Sequence, residues 1–167
     1  NTGGTLSYKH NFAKSGKELT ADGNYNYSKN NNSGFYQTQY YAGSTPKGPM
    51  LKEQSIGNGT TKFVTAQTDF VNPITDKIKI KMGARLSVRD YNSTNANLFL
   101  NPFTNTYVAI TGLNNNYKFN DQVYAGYVTY SQLINKFSFQ LGLRGESSQY
   151  TGTLIDTKKT FKNQYPL

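Results

Sequence analysis

The chain has 167 residues, a net charge of +9 and a pI near 9.6, with one histidine, 14 tyrosines, 15 glycines and 20 asparagines. It has no cysteine, which excludes a disulfide scaffold and a cysteine-based metal site. Only 16% of residues are charged while 14% are aromatic, which argues against disorder, and no run of about 18 apolar residues offers a membrane-spanning helix.

Apolar residues recur with period two along most of the chain, so strands are expected and helices are not. Leu6, Tyr8 and Phe12 alternate with Ser7, Lys9 and Asn11, and His10 falls on the apolar phase. A short turn over residues 13–17, built on Ser15 and Gly16, leads to a second strand. There Leu19, Ala21, Gly23, Tyr25 and Tyr27 oppose Glu18, Thr20, Asp22, Asn24 and Asn26. Residues 28–61 are polar and rich in asparagine, and read as a long loop containing Gly57, Asn58 and Gly59. Val64, Ala66 and Phe70 then alternate with Thr65, Gln67 and Asp69, although Phe63 and Val71 blur the phase. Pro73, lacking an amide proton, is expected to end that ladder within a turn over residues 72–76.

The clearest alternation follows. Ile78, Ile80, Met82, Ala84, Leu86 and Val88 occupy one phase, and Lys77, Lys79, Lys81, Gly83, Arg85, Ser87 and Arg89 the other. Successive strand side chains point to opposite faces, so one face is apolar and the other strongly basic. Residues 92–117 read as a second long loop. Residues 122–132 are strand-like (Val123, Tyr124, Tyr127, Val128, Tyr130), with their faces unassigned. A two-residue turn at Asn135 and Lys136 precedes a last strand, where Phe137, Phe139, Leu141 and Leu143 oppose Ser138, Gln140, Gly142, Arg144 and Glu146.

The expected architecture is therefore all-β, an antiparallel up-and-down meander of about six long strands. The hairpins lie at about 2–27, 62–91 and 118–152, with long loops at about 28–61 and 92–117. Short turns at one end and long connections at the other are the signature of a transmembrane barrel of the outer-membrane type. Such a sheet closes because lipid offers no partner for free backbone amides and carbonyls. Tyr25, Tyr27, Tyr36, Tyr40, Tyr41, Tyr91, Tyr117, Tyr124 and Tyr130 lie near the expected strand ends. They suit an interfacial aromatic girdle, in preference to the alternative of filling the surface of an ordinary sheet. The chain opens at Asn1 without a basic, apolar leader and closes at Leu167 without a terminal element, so it is expected to be a piece cut from something larger.

Several short motifs carry a family resemblance: Tyr117-Lys118-Phe119, then Val123-Tyr124-Ala125-Gly126-Tyr127, the turn at Asn135, and Leu141-Gly142-Leu143-Arg144-Gly145-Glu146. Together they resemble the barrel portion of TonB-dependent receptors, and most of all the Bacteroidota outer-membrane β-barrel family. Gly145 stands where that family usually carries an aromatic residue, and no segment matches a plug or an energy-coupling box. The resemblance implies a wall segment of an outer-membrane barrel in a Gram-negative cell, taking part in nutrient uptake. Its partners would be outer-membrane lipid, the remaining barrel strands, a plug domain and a TonB-type energy-coupling protein, the last through other regions.

On this reading Glu18, Asp22, Asp69, Lys79, Lys81, Arg85, Arg89, Arg144 and Glu146 line the lumen, as an ion network or simply as solvated lining. Leu19, Tyr25, Ile78, Ile80, Met82, Leu86, Val88, Phe137, Phe139, Leu141 and Leu143 face lipid. Catalytic, metal and cofactor residues are expected to be absent: a lone His10 on an apolar phase makes no catalytic constellation. The basic charge and interleaved tyrosines suit nucleic acid in principle. However, an apolar reverse face with no helix to cover it favours a wet lumen, a plug-facing surface or contact with anionic head groups. The alternative functions are a soluble β-rich adhesin or carbohydrate-binding module, and an outer-membrane barrel without transport.

Overall fold

The computed structural model describes residues 1–110 and 112–166. Among the described residues, eight strands form one antiparallel sheet: β1 (Thr2–Asn11), β2 (Glu18–Ala42), β3 (Thr45–Thr75), β4 (Ile78–Asn101), β5 (Thr106–Ala109), β6 (Tyr117–Ile134), β7 (Phe137–Leu154) and β8 (Lys159–Tyr165). Their order is β1-β2-β3-β4-β6-β7-β8, with β5 paired to the outer end of β4. The sheet is a meander and does not close on itself, since β1 and β8 each have one neighbour.

The three expected short turns all stand at one end of the sheet, between β1 and β2, β3 and β4, and β6 and β7. Asn135 adopts φ 54°, the left-handed conformation that a two-residue hairpin turn requires and asparagine tolerates. The other end differs from expectation. Residues 28–61 are no loop but the outer halves of β2 and β3, paired from Ser28↔Thr61 to Ala42↔Thr45. Residues 92–117 likewise begin as strand, because β4 runs on to Asn101 and pairs with β5. Gly57, Asn58 and Gly59 sit inside β3, and the chain beyond Leu154 turns back as β8. The ladder is built from backbone groups, so it continues through polar residues once two chains are held side by side. Hydrophobic alternation marks only the part of each strand that needs an apolar face. Pro73 does not end the ladder: it pairs with Lys79 beyond the end of β2, and the register shifts only after it.

Paired residues of an antiparallel sheet share a face, so the register sorts every side chain. One face carries rows such as His10, Leu19, Phe70, Met82, Val128 and Leu143. Two rows further along the same face stand Leu6, Gly23, Ala66, Leu86 and Tyr124. On β6 this apolar band is bounded by Gln122 and Gln132, about 33 Å apart along the strand at ~3.3 Å per residue. At a tilt of ~45° that is a band about 23 Å tall. Tyr124 and Tyr130 reach out of it in opposite directions, their hydroxyls donating to Gln122 Oε1 (3.1 Å) and Gln132 Oε1 (2.8 Å). Phe63 and Val71 belong to the opposite face, which resolves the blurred phase of β3.

The described residues form no hydrophobic core. Among the described residues Ala125, at 8% exposed, is the one buried apolar side chain, whereas Leu6 and Leu143 are each 79% exposed. Nothing among the described residues covers the apolar band.

Candidate functional site

All nine residues expected on the polar phase fall on the polar face: Glu18, Asp22, Asp69, Lys79, Lys81, Arg85, Arg89, Arg144 and Glu146. All eleven expected on the apolar phase fall on the other, including Tyr25 and Phe137, which pair with Val64 and Ile134. The tyrosines divide between the faces. Tyr25, Tyr27, Tyr124 and Tyr130 lie on the apolar face, but Tyr36, Tyr91 and Tyr117 lie on the polar one, so only part of the expected girdle borders the band.

The polar face is organised by short ion pairs rather than by one network. Lys9 Nζ meets Glu18 Oε2 at 2.7 Å across β1 and β2. Lys81 Nζ stands 3.5 Å from Asp69 Oδ1, while Gln67 Nε2 donates to Asp69 Oδ2 at 2.8 Å. Arg89 Nη2 donates to Asp121 Oδ2 at 3.0 Å, and its guanidinium lies 5.8 Å from the Phe119 ring centroid. Arg144 Nη2 reaches Glu146 Oε2 at 2.7 Å, two residues along the same strand. Among the described residues, this last pair is the expected acid–arginine partnership that the structure brings together. Lys9 and Asp121 escape the sequence reading because their roles depend on cross-strand register, and β6 had no assigned face. Most of these pairs are solvent-accessible and contribute about 0–1 kcal/mol each, so they organise the surface more than they hold the fold. Asp69 differs, its side chain being only 15% exposed.

Beneath this surface Gly83 has no room for a side chain. A Cβ there would stand 2.6 Å from the Tyr127 ring and 2.7 Å from the Thr68 carbonyl oxygen. The glycine thus lets Tyr127 lie flat across β4, with Lys81 Nζ 5.9 Å from its ring centroid.

Further along the polar face, beyond the level of the band, lies a groove of about 370 Å³ lined by Ser28, Asn30, Asn32, Gly57, Gly59, Tyr91, Ser93 and Asn95. Its amides and hydroxyls can donate and accept, and Tyr91 supplies an aromatic edge. Tyr91 stacks obliquely on Tyr117, with centroids 5.4 Å apart. Burial, and then the Tyr91 hydroxyl beside it, raise the Tyr117 pKa above 10.0. Asparagines also build the wall behind the groove. Asn114 and Asn116 side-chain oxygens accept from the backbone amides of Asn97 (2.9 Å) and Asn95 (3.1 Å), continuing the ladder where β6 has not yet begun. Asn116 is held in turn by Asp156, through its backbone amide at 2.9 Å and its side-chain amide at 2.7 Å. Among the described residues no cluster of His, Asp and Glu has the geometry to hold a metal ion.

The arrangement is similar to a known transporter. The ferric citrate transporter FecA, solved in its unliganded form, superposes with a TM-score of 0.59 at 12% sequence identity. The match covers 98% of this chain and 23% of that one, so the chain spans about a quarter of the protein it resembles. At that identity the likeness concerns the fold alone. No curated protein matches the sequence. The model of the outer membrane protein beta-barrel family matches residues 10–166, nearly the whole chain. With one uncovered apolar band, one charged face and a meander of long strands, the chain belongs to the outer membrane protein beta-barrel family.

Proposed function

We propose that this chain is a wall segment of a TonB-dependent-receptor-like barrel that takes part in nutrient uptake across the outer membrane of a Gram-negative cell. The observation that carries the reading is the pairing of an uncovered apolar band with a charged opposite face in a single-layer sheet. The band faces lipid, and the ion-paired face lines the lumen. The other barrel strands pair with the free sides of β1 and β8, while a plug and an energy-coupling protein act through other parts of the molecule. The asparagine-lined groove beyond the band suits a polar, hydroxyl-rich or chelate ligand, held by amide hydrogen bonds and the edge of Tyr91.

Two measurements test this. Spin labels placed on the full-length protein at Leu86 and Arg85 should report opposite environments, with Leu86 contacting lipid-dissolved oxygen and Arg85 a water-soluble relaxant. Monodisperse protein in detergent-free buffer would instead favour the soluble module. Cells carrying Asn30→Ala together with Asn95→Ala should then take up a radiolabelled ferric chelate or oligosaccharide at a raised KM. Uptake of the whole panel unchanged from cells lacking the protein would leave a barrel without a transport role.

A further inference from the structure

The apolar face also carries a charge pattern outside its band. The register places Lys62, Asp90, Asn120 and Lys162 in one transverse row directly above it, and Lys29 and Lys118 in the next. Four ammonium groups thus accompany one carboxylate, and Asp90 Oδ1 already accepts from Asn120 Nδ2 at 2.6 Å. Among the described residues none of these lysines belongs to an ion pair shorter than 4 Å. Lys62, Lys118, Asp90, Asn120 and Thr151 line a basin of about 440 Å³. Within the band itself, no lysine, arginine or carboxylate among the described residues lies on this face.

Below the basin the same face is hollowed. Ala21, Thr68, Ala84, Gly126 and Gly145 form one transverse row of small residues across five strands. Leu6, Tyr8, Leu86 and Tyr124 help wall the resulting trough, which has a volume of about 660 Å³. A Cβ on Gly126 would meet nothing nearer than a carbonyl oxygen at 4.0 Å, so the floor is open. Four inter-strand steps make the row about 19 Å long, somewhat more than half of a ~30 Å hydrocarbon core. Val64 and Ala66, on the same face of β3, join the basin to the trough.

We propose that this face seats one phosphorylated glycolipid of the outer leaflet. Its phosphates lie between Lys62 and Lys118, its sugar hydroxyls on Asn120 and Thr151, and one acyl chain in the Ala84–Gly126 trough. The charge complementarity selects a phosphate-bearing lipid, and the trough selects an acylated one over a free head group. The inference rests on the reading that the apolar face meets lipid.

The test uses the full-length protein in nanodiscs of phosphatidylcholine doped with a bis-phosphorylated glycolipid, with the lipids retained after detergent release counted by native mass spectrometry. The unaltered protein should retain the glycolipid over phosphatidylcholine and over phosphatidylglycerol. Lys62→Ala combined with Lys118→Ala should lower that preference about thirtyfold, at ~1 kcal/mol for each lysine near a membrane surface. Ala84→Leu fills the trough, keeps the lysines and should lower retention several-fold. Unchanged retention in both variants, equal retention of phosphatidylglycerol, or displacement by the water-soluble deacylated head group would overturn the proposal. A spin label at Leu86 is read in the same discs. If it reports lipid while retention fails, the seat is wrong and the membrane reading stands; if it reports water, the membrane reading itself has failed. Unchanged β-sheet circular dichroism shows that each variant remains folded.

Discussion

Asparagine accounts for much of what is unusual about this chain, and the residue scale explains why. Its side-chain amide repeats the donor and acceptor of the peptide group, so it can stand in for a missing strand partner. Asn114 and Asn116 do this for Asn97 and Asn95, and Asp156 fixes Asn116 from the other side. Replacing Asn116 with alanine removes both of its side-chain hydrogen bonds at once and leaves the Asn95 amide without its acceptor. The expected cost is about 1–3 kcal/mol of local stability. Hydrogen exchange should accelerate at Asn95 and Asn97 and remain unchanged at Leu86. Tyr117 offers a second residue-scale test. Its raised pKa means that the folded state holds the phenol proton more tightly than the unfolded state does. The stabilisation is therefore fully present below pH 10.0 and is lost as pH rises through the folded value. In carbon-labelled tyrosine NMR, Tyr117 should titrate later than an exposed tyrosine, and Tyr91→Phe should bring it down.

At the scale of the element, the glycines on β4 and β6 show how face and neighbour decide tolerance. Gly83 and Gly126 lie on adjacent strands but on opposite faces. Gly83→Ala drives a methyl into the Tyr127 ring and the Thr68 carbonyl and should cost about 1–3 kcal/mol. Gly126→Ala meets open space and should be near neutral. Urea unfolding of the two variants in detergent separates them, and Gly83→Ala with Tyr127→Ala should recover part of the loss. This scale also shows how far the sequence could be read. The alternation from Ile78 to Val88 defines β4 and both its faces, because an apolar band needs period two. Beyond Asp90 the same strand continues through Asn92, Thr94 and Asn97 with neither face apolar, so composition there looks like a loop. The ion pairs were less legible still. Arg89 and Asp121 meet only because β4 and β6 align in one register, and spacing within a single strand carries no information about that alignment.

For the whole molecule, the two faces should respond oppositely to the same charge. Met82→Arg, in the middle of the apolar band, should cost about 2–4 kcal/mol in a bilayer, whereas Ser87→Arg on the polar face should cost little. Refolding yield into vesicles, followed by gel mobility of the unheated protein, measures the difference. The outer halves of β2 and β3 carry a further consequence, concerning how such a sheet enters a membrane. Its two ends carry very different polar cargo. At one end Ser15, Asp76 and Asn135 head turns of only a few residues, while at the other a ribbon of peptide groups and asparagines runs from Ser28 to Thr61. Spontaneous entry into a bare bilayer would send the tight turns through first and leave the ribbon behind. A cell that delivers the chain from the tight-turn side must move the ribbon through hydrocarbon instead. Unaided, that passage is opposed by every asparagine side chain and unpaired peptide group the ribbon carries, because hydrocarbon offers them no hydrogen-bond partner.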